Sequence, residues 1–139
     1  MALTAKLKLG MKEFNLLKCE YEFNQPIDKN GKPCANPKGG IIDFTIHTQK
    51  EVDIVFHEWM LSKIEEKGGE IEFDIPVKAK STSMKLVFNH AHCIYLNGKF
   101  DSQSPTQMLT RIKISAAVIY FGSNGPFFTN NELLAAFGL

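Results

Sequence analysis

Apolar and polar residues alternate along most of this chain. Leu3, Ala5, Leu7 and Leu9 are interleaved with Thr4, Lys6 and Lys8, the two-residue period of a half-buried strand. Gly10-Met11-Lys12 reads as a turn into a second strand. There Phe14 and Leu16 share one parity, while Leu17, Cys19, Tyr21 and Phe23 share the other. One extra residue flips every later side chain, so the break at Leu16-Leu17 predicts a β-bulge. Ile42, Phe44 and Ile46 form a third strand, and Ile71, Phe73, Ile75 and Val77 alternate with Glu70, Glu72 and Asp74 in a fourth. Lys78 to Ser83 reads as a polar turn region, Met84 to Leu96 as a long strand and Asn97-Gly98 as a turn. After a loop from Asp101 to Thr106, the last long strand runs from Met108 to Phe121.

One stretch carries the other period. Val52, Val55, Phe56, Trp59 and Met60 recur at the i, i+3, i+4, i+7, i+8 spacing of one helical face, with Glu51, Asp53, Glu58, Lys63, Glu65 and Glu66 around them. The pattern predicts an amphipathic helix over about residues 51–66, with Glu51 and Asp53 at the positive end of its dipole and Gly68-Gly69 as its stop. At 1.5 Å per residue it would be roughly 24 Å long, enough to plug one end or side of a small barrel. The expected fold is therefore mainly β, a single domain over residues 1–139 with one helix to cover.

Three further stretches bear on what the protein contacts. Residues 25–40 hold Pro26, Pro33, Pro37, Gly31, Gly39 and Gly40, with turn chemistry at Asp28-Lys29-Asn30-Gly31. A loop this long is either an idle surface excursion or a contact with a partner, and its length favours the contact. In the last strand Ile112, Ile114, Ala116, Val118 and Tyr120 lie on one face, and Ala117, Ile119 and Phe121 continue on the other. Arg111, Lys113 and Ser115 make the first half of that second face polar, and the second half has no polar residue. A strand apolar on both sides is covered on both sides, by its own domain or in part by a neighbouring subunit. Ala117, Ile119 and Phe121 are the candidate interface positions. The tail, about residues 123–139, is apolar as well and reads as a short helix started by Thr129 or Asn130, packed within or between chains.

Composition narrows the function classes. An apolar content of 44% with 22% charge suits a folded chain, and a formal net charge of +1 gives no support for a nucleic-acid or anionic-membrane partner. Lysines stand where a signal peptide needs its apolar core, and no run is long enough to span a membrane, so synthesis in a reducing cytoplasm is expected. Three cysteines without CxxC spacing form neither a disulfide framework nor a redox motif. His90 and His92 share one strand face, but a structural zinc site typically takes four ligands. Gly39-Gly40 precedes a strand rather than a helix and is no phosphate cradle. No catalytic residue, cofactor site or metal site is expected. Eleven phenylalanines argue for a filled core over a hollow ligand-binding barrel.

The order of motifs resembles one family. Lys6 to Tyr21 is similar to the start of the Hcp/TssD tube proteins of type VI secretion systems, as is Asp28-Lys29-Asn30-Gly31-Lys32-Pro33 leading to Gly39-Gly40-Ile41. Phe56-His57-Glu58-Trp59-Met60 resembles the F-x-E-W-M signature of a divergent branch, and Met108 to Ala116 resembles the closing strand. The likeness spans roughly residues 3 to 121. It implies a small two-sheet β-barrel with the helix packed against it through Phe56, Glu58, Trp59 and Met60. It also implies hexameric rings that stack into a tube, with the loop residues Asp28, Lys29, Asn30, Gly31 and Lys32 reaching the next ring. The partners it implies are further copies of the chain, a spike protein, a contractile sheath and effectors carried in the lumen, with export through the apparatus and no signal peptide. A tube subunit of a related contractile particle, of phage-tail or extracellular injection type, is the nearest alternative. A monomeric barrel for a small ligand is a more distant one. His57 at the variable place of the signature and the apolar tail depart from the family pattern, so the chain is either a plain tube subunit or a specialised paralogue.

Overall fold

Strands whose side chains alternate pair with their sequence neighbours wherever a short turn permits, and this chain does so almost throughout. The computed structural model describes residues 4–48, 54–77, 80–103, 108–122 and 125–130, with only the backbone described at 76, 77 and 80–82. The elements are β1 (Thr4–Leu9), β2 (Lys12–Tyr21), β3 (Ile41–His47), α1 (Ile54–Met60), β4 (Lys67–Val77), β5 (Lys80–Phe100), β6 (Met108–Phe121) and β7 (Phe127–Thr129). All strand pairs are antiparallel in the order β3-β2-β1-β4-β5-β6-β7, and β3 also pairs with β6. That last pairing closes six strands into a barrel, which abolishes the edges of an open sheet. Among the described residues no helix is long and apolar enough to cross a membrane.

The bulge falls where the parity break puts it. Leu16 pairs with Ile46 and Lys18 with Thr45, leaving Leu17 as the extra residue. Leu7, Phe14, Ile42, Phe44, Ile46, Ile71, Ile112 and Ile114 point inward and are buried, so the barrel is filled by side chains.

The helix is shorter than its sequence pattern. Residues 51–53 lie outside the described residues, and α1 ends at Met60 with a length of seven residues, so the described part is about 10 Å long. Two bonds end it early. The Ser62 N–H reaches the Trp59 carbonyl at 3.3 Å, and the Ser62 hydroxyl takes the N–H of Glu65 at 3.0 Å. Residues 61–66 are therefore a turn, and Gly68-Gly69 belong to β4 instead of stopping a helix. A side chain at Gly69 would meet the Lys8 carbonyl at 2.6 Å, so glycine there serves close strand approach.

The hairpins are also longer than expected. β4 and β5 stay paired out to Val77 and Lys80, which takes strand into the polar stretch at 78–83. Asn97 and Gly98 pair with Arg111 and Thr110 inside the ladder, and the reversal falls after Phe100. Ladder pairing with β6 outweighs the local turn preference of an Asn-Gly pair.

Strand β6 reads apolar on both faces because it changes face. Thr110, Ile112, Ile114 and Ala116 are buried in its first part, then Ala117 and Ile119. Opposite, β5 changes from Leu86 and Phe88 to Ala91 and Cys93, with His90 between them at a φ of 54°. Both strands roll over together, so each apolar set lies inside its own barrel. The three candidate interface positions differ in exposure. Ala117 and Ile119 are fully covered within the chain, and Phe121 is half-buried against Tyr21 and Phe23.

The tail begins with a short strand. β7 pairs Phe127 with Tyr120, Phe128 with Ile119 and Thr129 with Val118, and the Asn130 N–H donates to the Ala117 carbonyl at 2.8 Å. The helix expected after Thr129 or Asn130 lies outside the described residues.

Candidate functional site

The register puts the two ends of the barrel in different chemical settings. The β1–β2 turn, the end of β3, α1 and the start of β4 share one end. The end of β2, residues 24–40, the start of β3, the β4–β5 hairpin tip and β7 share the other.

At the helix end, Phe56 and Trp59 are fully buried; the Phe56 ring lies 4.8 Å from Phe14 and 5.9 Å from Phe44. The Trp59 indole N–H faces two carbonyls, Glu65 at 3.1 Å and Ala91 at 3.2 Å, which pin helix, turn and β5 together. Burying one such aromatic contributes about 1.5–3 kcal/mol of transfer free energy. Met60 is partly buried with its sulfur 3.8 Å from the Cys93 thiol. Glu58 is exposed and takes no part in this packing. Met11, Ile54, Leu61 and Ile64 stand exposed around the same end.

At the loop end, residues 27–38 are all exposed, yet their shape is held. Asp28 organises the tip. Its carboxylate accepts the N–H of Asn30 at 2.8 Å and of Lys32 at 3.0 Å, and its carbonyl accepts Gly31 at 3.0 Å. Gly31 takes a φ of 81°, which a side chain would resist. Bridges between Asn24 and Lys38 and between Ile27 and Pro33 zip the base. The five loop positions singled out in the sequence thus form one local structure, with Lys29 and Lys32 on its outside.

Beside the loop lies a cleft of ≈470 Å³ that sequence reasoning missed, lined by Phe23, Pro37, Phe121, Pro126, Phe127 and Phe128. The Phe23 ring is 5.2 Å from Phe128 and 6.2 Å from Phe121. The available signal was Gly125-Pro126 ahead of Phe127-Phe128-Thr129, a turn before a short β-rich run.

The outer wall is a lattice of cross-strand charges. Arg111 grips Asp43 with both prongs of its guanidinium, Nε to Oδ1 at 3.0 Å and Nη2 to Oδ2 at 2.6 Å, which holds the Asp43 carboxyl below its ordinary range. Lys113 lies 4.9 Å from the centre of the Tyr95 ring. Lys8 has Glu13, Glu70 and Glu72 within 4.0 Å. Among the described residues no group of three or more His, Cys, Asp or Glu could hold a metal. His90 pairs through Nδ1 with Glu66 at 3.1 Å.

A family model described as "Hemolysin coregulated protein Hcp (TssD)" matches residues 1–131. The chain belongs to this family. It is a tube subunit of a type VI secretion system, from a structural family that assembles into rings and tubes. Solved structures repeat the fold. Hcp1 from Flavobacterium johnsoniae has a TM-score of 0.76 at 24% identity, covering 91% of this chain and 99% of that one. A structure described as a type six secretion system protein has a TM-score of 0.73 at 10% identity, covering 91% and 90%. The PVC sheath/tube terminator of an extracellular contractile injection system has a TM-score of 0.53 at 14% identity, covering 86% and 93%. No curated protein matches the chain in sequence. In this Hcp protein, then, the signature Phe56 to Met60 builds a barrel end, and the Asp28 to Lys32 segment is a pre-shaped surface loop.

Proposed function

We propose that six copies of this Hcp protein close into a ring, that rings stack into the inner tube, and that Asp28, Lys29, Asn30, Gly31 and Lys32 contact the adjacent ring. The observation that carries this reading is the exposed segment 27–38, whose tip is held in one shape by the hydrogen bonds of Asp28 although it stands clear of the barrel core. A loop ordered in advance loses less entropy on docking. The filled barrel supports a structural role without catalysis, cofactor or metal. Spike, sheath and lumenal effector proteins are the further partners, and the protein leaves the cell through the apparatus itself. A second reading, a tube subunit of a free contractile particle, draws on the likeness to the injection-system terminator.

Export is the test. In the source organism, the protein is expected in the culture medium when the sheath gene is intact and lost from it when that gene is deleted. Unchanged release without the sheath contradicts the reading. Recovery in sheathed particles shed from the cell upholds the second reading instead.

A further inference from the structure

The two ends of this barrel complement each other. Met11 is 102% exposed, Leu61 86% and Ile64 87%, all at the helix end, where burial would remove considerable apolar surface from water. The opposite end holds the aromatic cleft, whose Phe127 is itself 74% exposed. Charge follows the same division. In the loop, Lys29, Lys32 and Lys38 outnumber Asp28. Along residues 54–66, Glu58, Glu65 and Glu66 outnumber Lys63. Lys67 beside Glu65 at 3.5 Å and Lys12 next to Met11 offset that excess of two carboxylates, and His90 pairs with Glu66, so the acidity is local to the 54–66 segment. A surface that fits a different surface of the same molecule makes a head-to-tail contact that does not close, and it therefore propagates as a column.

We infer that Met11, Leu61 and Ile64 of one copy insert beside Phe23, Phe121, Phe127 and Phe128 of the next copy along the tube, while the loop lysines face the acidic 54–66 segment. The occupant of the cleft is a second copy of this chain, because the complementary knob and the opposite charge both stand on its far end. β7 is then an assembly element: it supplies Phe127 and Phe128 to the receiving wall. The inference rests on the ring-and-tube reading and assigns its ring-to-ring junction.

Sedimentation velocity over a range of concentrations tests it, using exposed positions and the half-buried Glu65, none of them in the core. Wild-type protein is expected to show whole-ring multiples that grow with concentration. The pair Met11→Glu and Leu61→Glu, the pair Lys29→Glu and Lys32→Glu, and the pair Glu58→Lys and Glu65→Lys each keep the ring mass. Each raises the concentration needed for half-stacking by about tenfold or more, since like charges or buried carboxylates replace attractive contacts. Combining the two charge-reversed pairs in one chain restores stacking. Stacking that survives all three pairs overturns the junction, and so does the lack of any end-to-end assembly in wild-type protein. A chain that forms no ring defeats the ring reading alone; linear columns of single copies broken by Met11→Glu would still uphold the junction.

Discussion

The Cys19 thiol on β2 is half-buried, and burial first, then the negative charge of Asp43, pushes it up to about 12. Burial raises the Cys93 thiol as well, and Cys34 stands exposed on the loop. A thiol reacts as thiolate, and the raised value leaves Cys19 overwhelmingly protonated, hence slow to react, at pH 8. Titration with a disulfide reagent at pH 8 is expected to label Cys34 rapidly, with Cys19 and Cys93 following only on unfolding. Rapid labelling of all three would contradict the described burial. At this scale much is readable beforehand. Phe56 and Trp59 are buried as their helical spacing requires, and Leu7, Phe44 and Ile114 as their alternation requires. The fork between Arg111 and Asp43 is not readable, because it joins positions 68 apart whose proximity exists only once β3 pairs with β6.

Among elements, β7 is the one whose placement depends most on a single backbone position. β6 gives its edge first to β3, from Leu109 to Ser115, and then to β7, from Val118 to Tyr120. Gly40 sits at the handover with a φ of 98°, its carbonyl accepting the Ala116 N–H at 2.7 Å. A Cβ there would stand 2.7 Å from the Ala116 carbonyl and 3.2 Å from the Phe128 ring. Gly40→Ala is expected to destabilise the chain by about 1–3 kcal/mol through the unfavourable φ and the crowded seam. Urea unfolding followed by circular dichroism measures it, and an unchanged midpoint would contradict this account of the seam. The same seam explains the limits of element prediction. Three residues of strand after Gly125-Pro126 carry too little period to announce themselves, and their partner is chosen by an open stretch of β6. The helical pattern outruns the helix for the opposite reason. Ile64 and the charges through Glu66 prolong an amphipathic pattern that Ser62 and the Trp59 indole interrupt by hydrogen bonding. The bulge at Leu17 was legible because a one-residue slip exchanges the faces of a whole strand.

For the whole molecule, closure of β3 onto β6 leaves the described barrel with its exposed apolar side chains gathered largely at its ends: Met11, Leu61 and Ile64 at one, Ile27 and Phe127 at the other. Membership in the Hcp family was legible, since the motifs that carry the likeness, over roughly residues 3 to 121, lie inside the matched span of residues 1–131. The pairing of opposite ends was not, because it depends on which turns the closed barrel brings to the same side. The central claim is that this barrel works as a ring, and solution mass tests it most directly. Light scattering of the purified protein over a dilution series is expected to give a mass near about six chains, held on dilution, as a closed cyclic assembly requires. A single-chain mass at every concentration would contradict the account.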